Sequence, residues 1–125
     1  MNLHLLTDKA SISAAVALMT PAAREAAKLL AHRIENDRTL LTDRDRLQTE
    51  WLQACVISLA RAGGASSPDD PELRNFVSNH GMGVLNVAVS IIHLSDQEAK
   101  KRKWMGWLGK AAAVGVGAAI AAFFG

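Results

Sequence analysis

The C-terminus constrains this chain most. From Trp104 to Gly125 there are 22 residues and one charge, Lys110, and four consecutive cations precede them, Lys100, Lys101, Arg102 and Lys103. An apolar run of that kind has to leave water, either into lipid or against protein. As a helix, the 22 residues would be roughly 33 Å long, against a bilayer hydrocarbon core of about 30 Å. The strictly uncharged part, Ala111 to Gly125, would cover only about 22 Å, so a spanning segment needs Lys110 to snorkel toward the headgroups. Trp104 and Trp107 stand beside the cations, where an interfacial aromatic belt belongs. Lys100, Lys101, Arg102, Lys103, Trp104, Trp107 and Lys110 are therefore the candidate membrane-interface residues. The positive-inside rule keeps the collar on the cytoplasmic side, which predicts a membrane protein with a cytoplasmic N-terminal domain. Its expected partner is a bilayer with anionic headgroups, which attract such a collar by about 1 kcal/mol per cation.

The charge balance supports that division. The net charge of +2 and pI near 9.0 come from the tail. Residues 1–99 carry nine Lys/Arg and all twelve Asp/Glu, whereas residues 100–125 carry five Lys/Arg and no acid. A cationic cluster with two Trp could also hold nucleic acid by phosphate contacts and stacking. The bilayer accounts for the adjoining apolar run as well, so nucleic acid is not the expected partner.

Small residues dominate the run: seven of the last fifteen are Ala and three are Gly. Gly109, Ala113, Gly117 and Ala121 recur every fourth position, a small-xxx-small row that lets helix backbones approach closely. They are the candidate helix-packing residues, and self-association is the corresponding expectation. Trp104, Leu108, Val116, Ile120 and Phe124 fall on a neighbouring row that would face lipid. The same composition suits a helix packed against other protein. The alternative reading is thus a structural assembly subunit, of a virion or filament, whose Ala/Gly-rich helix packs against other copies.

Upstream, the pattern is helical throughout. A short helix is expected over Asp8–Met19, with Ile12, Val16 and Met19 inward. Thr20-Pro21 supplies a cap and a proline at the first helical position, and Ala23, Ala26, Leu30 and Ile34 follow at helical spacing. Thr42 and Asp45 resemble a capping box ahead of a helix whose apolar face holds Leu47, Trp51, Cys55 and Ala62, widened by Leu52, Val56 and Leu59, and Gly63-Gly64 ends that helix. Asp70-Pro71 opens another, with Leu73, Phe76 and Val77 inward, and His80-Gly81-Met82-Gly83 interrupts it. Val84–Leu94 alternates as a strand would, yet no second strand exists to pair with it, so helix is preferred. Ser95-Asp96-Gln97-Glu98 then reads as a capping box opening a new helix. The expected fold is all-α: a small bundle of about four helices followed by the C-terminal hydrophobic helix. Residues 1–99 form the helical domain, with a sub-boundary at the loop 63–71, and residues 100–125 form the collar and tail.

Met1–Ser13 lacks the basic start and apolar core of an export signal. No catalytic motif is present. The four His have no His or Cys at metal-ligand spacing, and no GxSxG elbow or phosphate-binding glycine loop occurs. Cys55, the single cysteine, lies on an apolar helix face and reads as a core residue. The expectation is a protein that is not an enzyme, with no cofactor, metal or small-molecule substrate. It would be a membrane-anchored helical protein that oligomerises or recruits a protein partner through residues 1–99, or a holin-like or toxin-like effector that perturbs the membrane.

Overall fold

The computed structural model describes residues 3–63, 70–104 and 116–124 of the chain. Its elements are α1 (Lys9–Leu18), α2 (Pro21–Asn36), a 3-10 turn (Arg38–Thr42), α3 (Arg44–Arg61), α4 (Pro71–Phe76), a π turn (Val77–Gly81), α5 (Met82–Trp104) and α6 (Val116–Phe124). The fold is all-α, a small helical bundle.

At the centre stands α5. Val84, Leu85, Val87, Ala88, Val89, Ile91 and Ile92 are all buried, so this stretch is enclosed on every side. That explains the mixed periodicity of its sequence, because a helix that is apolar all round has no polar stripe to mark a 3.6-residue period. Helices α1, α2 and α6 pack on it, and α3 packs on α2. The inward face of α2 is Ala23, Ala26, Ala27, Leu30, Ala31 and Ile34; its small residues allow the neighbouring helices close approach.

Local chemistry sets the boundaries. Asp8 caps α1, its carboxylate accepting from Ser11 N at 2.7 Å, and Thr20 caps α2 by accepting from Ala23 N at 3.2 Å. The guanidinium of Arg24 donates to the carbonyls of Val16 at 3.0 Å and Ala17 at 3.2 Å, so α2 closes the exposed end of α1. Gly63, at φ 85, terminates α3 in the left-handed region. An extended segment before α1 is fastened to α5 where Leu6 N donates to Ser90 Oγ at 2.9 Å.

Several sequence expectations change. The cap of α3 is Asp43, which accepts from Arg46 N at 3.2 Å, while the Thr42 hydroxyl donates to Thr39 O at 2.8 Å. The interruption at residues 80–83 is a π turn that keeps α4 and α5 on one continuous helical path. No new helix begins at Ser95, because α5 runs through it to Trp104. The polar residues there serve tertiary contacts: Asp96 pairs with Arg38 at 2.6 Å, Glu98 with Lys9 at 3.6 Å, and Ser95 is buried. Leu52 and Ala62, expected on the apolar face of α3, are exposed, Leu52 at 38% and Ala62 as the residue that caps the helix.

The π turn has a specific cause. Trp51 of α3 lies against Gly81, and its indole N–H donates to the Gly81 carbonyl at 2.9 Å within the core. A Cβ on Gly81 would stand 2.7 Å from Trp51 Cζ2, so only glycine fits under the ring.

Candidate membrane interface and the docked C-terminal helix

The cationic block lies at the end of α5. Lys100 and Lys101 are exposed there, and the helix continues through Arg102, Lys103 and Trp104. Trp107, Gly109, Lys110 and Ala113 lie outside the described residues.

The final element, α6, packs on α1, α2 and α5. Ile120, Phe123 and Phe124 occupy positions i, i+3 and i+4, one face of the helix. Ile120 is completely buried, and both Phe residues are partly buried against the core. Ala118, Ala121 and Ala122 are exposed, with Ala118 and Ala122 bordering a cleft toward α1 and α5. Ile120 and Phe124, expected on a lipid-facing row, thus point into the bundle, because the bundle offers an apolar seat for them.

The small row divides in this structure. Gly117 lies against α2, where an added Cβ would meet the Glu35 carboxylate oxygens at 3.5 and 3.6 Å. Ala121 faces outward. The Glu35 carboxylate is 3.8 Å from His32 Nδ1, and its Oε2 is buried with no hydrogen-bond partner.

The docking leaves space. A cleft of about 310 Å³ separates α1, α5 and α6, walled by Ile91, Leu94, Ala119 and Phe123, with Lys9 and Glu98 at its rim. The sequence did not point to these residues as a site: Glu98 was read only as part of a helix cap. The i, i+3, i+4 spacing of Ile120, Phe123 and Phe124 was the available signal that α6 has a protein-facing side.

Elsewhere the chemistry is quiet. Burial raises the Cys55 thiol to about 11, which suppresses the thiolate it would need as a nucleophile. Among the described residues, no group of three or more His, Cys, Asp or Glu could hold a metal ion. Among them, too, no helix is long and apolar enough to cross a membrane. Comparison with protein-family models, curated proteins and solved structures gave no match to this chain.

Proposed function

We propose that this is a non-enzymatic, membrane-associating helical protein. The basic end of α5 meets anionic headgroups on the cytoplasmic face, and residues 1–99 form the head that meets a protein partner. The observation that carries this reading is the segregation of charge. Four contiguous cations with Trp104 and Trp107 border a run with one further charge, whereas all twelve acids lie before residue 100. Such a collar gains about 1 kcal/mol per cation at an anionic surface, and the indoles suit the headgroup depth. Tails of neighbouring copies would pack through the small row of Gly109, Ala113, Gly117 and Ala121.

Flotation of the full-length chain with phosphatidylglycerol-containing vesicles tests the proposal. Replacing Lys100, Lys101, Arg102 and Lys103 together by Gln should lower the partition coefficient on the order of several hundred-fold at low salt. Equal flotation of both chains would refute a role for the collar. Dye release from the same vesicles separates a docking head, which leaves them sealed, from a membrane-perturbing effector, which empties them.

One observation favours a second reading, an assembly subunit. The apolar face of α6 already packs on protein, its own bundle. Large regular particles formed without lipid or detergent would support that alternative over the first.

A further inference from the structure

We infer that α6 has two mutually exclusive seats, its own bundle and a lipid surface, so that tail engagement with a membrane requires α6 to leave the bundle. This rests on the membrane-associating reading above. The competition follows from which side chains face where. The large apolar side chains of α6 described here, Ile120, Phe123 and Phe124, are the ones turned into the core cluster. Its exposed residues, Ala118, Ala121 and Ala122, offer only methyl groups, and two of them border the cleft. Docked, α6 has almost nothing with which to enter an acyl layer. Undocked, it carries an isoleucine and two phenylalanines on one face, the pattern of an interfacial amphipathic helix.

The docked seat is built to be left. The nine described residues of α6 make too short a stretch to hold as helix by themselves in water, so they depend on the surface they lie on. Its contact with the bundle is incomplete, with the cleft of about 310 Å³ between α1, α5 and α6 forgoing part of the dispersion energy of a filled interface. At its first turn, Gly117 lies over Glu35, whose buried Oε2 has no hydrogen-bond partner. A desolvated carboxylate oxygen of that kind would be rehydrated when α6 departs.

Two measurements test the exchange. The full-length chain carries nitroxides at Ala14→Cys on α1 and Ala121→Cys on α6, both exposed positions on elements in contact, with Cys55→Ala removing the native thiol. Pulsed dipolar spectroscopy should give a narrow distance distribution in buffer and a longer, broader one on phosphatidylglycerol vesicles. An unchanged distribution in vesicle-bound chain overturns the exchange and leaves the membrane reading standing. Failure of the chain to bind the vesicles overturns both. In the second measurement, Leu94→Asp places a carboxylate in the cleft wall beneath α6 without altering the tail. Vesicle partitioning should rise about tenfold or more. With helicity retained, an unchanged partition coefficient overturns the exchange; should this variant not fold, the dipolar experiment decides alone.

Discussion

Two glycines two residues apart on one helical path should respond to alanine with opposite signs. At Gly81 a Cβ would lie 2.7 Å from Trp51 Cζ2 and 3.1 Å from Val77 Cγ1. The indole is a rigid bicycle, 8% exposed, and held by its N–H bond to the Gly81 carbonyl, so it cannot swing aside as a flexible side chain would. Overpacking of this kind costs about 1–3 kcal/mol, and a strained or lost indole bond adds about 1 kcal/mol. The helix preference of Ala over Gly returns about 1 kcal/mol. Gly81→Ala should therefore destabilise the fold by about 1–3 kcal/mol. At Gly83 nothing lies within 4 Å of a Cβ, so Gly83→Ala keeps the preference term alone and should stabilise by up to about 1 kcal/mol. Urea unfolding followed by circular dichroism at 222 nm measures both. With a slope of about 2 kcal/mol per M, the Gly81→Ala midpoint should fall by about 0.5–1.5 M while that of Gly83→Ala rises. Equal midpoints, or a Gly81→Ala chain as stable as the native one, would refute the placement of Trp51 over the π turn.

Other outcomes follow from the same structure. Gly117→Leu should remove cross-linked oligomers on vesicles, since a branched side chain blocks close approach along the small row; a surviving ladder eliminates that row from self-association. It should also loosen docked α6, whose Gly117 has the Glu35 carboxylate in the way, read as faster hydrogen exchange over residues 117–124. Cys55, with its buried thiol near 11, should resist a thiol reagent at pH 8 until the chain is unfolded; immediate labelling of the native protein would displace it from the core. Asp37 is held below its ordinary value of 3.8 by hydrogen bonds from Thr39 and then by Arg46. A depressed carboxylate contributes stability above its unfolded pKa and loses it as pH falls through the lowered folded value. Asp37→Asn should thus be less stable than native at pH 7, with the difference closing below about pH 4; a constant difference would show that the charge plays no part.

Much of the helical core was legible because its helices are amphipathic. Ile12 and Val16 of α1, and Ala23, Ala26, Leu30 and Ile34 of α2, recur at the helical period and are all buried, with Ala27 and Ala31 buried beside them. The cap-plus-proline starts at Thr20-Pro21 and Asp70-Pro71 are likewise where the helices begin. What escaped depends on distant partners. The expected break at residues 80–83 is a π turn because Trp51, thirty positions earlier, lies against Gly81. The apparent cap at Ser95 is not used because α5 runs through it, with Ser95 buried against the bundle. For the candidate site, the cationic block and its helical setting were readable from the residues alone. The seat of α6 was not, since the i, i+3, i+4 spacing of Ile120, Phe123 and Phe124 marks an apolar face without saying whether lipid or α1, α2 and α5 receives it.

The enclosure of α5 also sets an order on synthesis. Leu6 waits for Ser90, a partner 84 positions later, and Ile12 and Val16 find their packing helix only when α5 exists. On a ribosome adding about 5–20 residues per second, α2 would be complete for roughly 3–12 s before Ile92 is made. Once α3 is made, about halfway through that interval, α2 and α3 can pair, but α1 and the far side of α2 still expose their apolar faces. The nascent chain is therefore a client for holding factors until its central helix emerges, and a stalled fragment ending before residue 84 would be prone to aggregation.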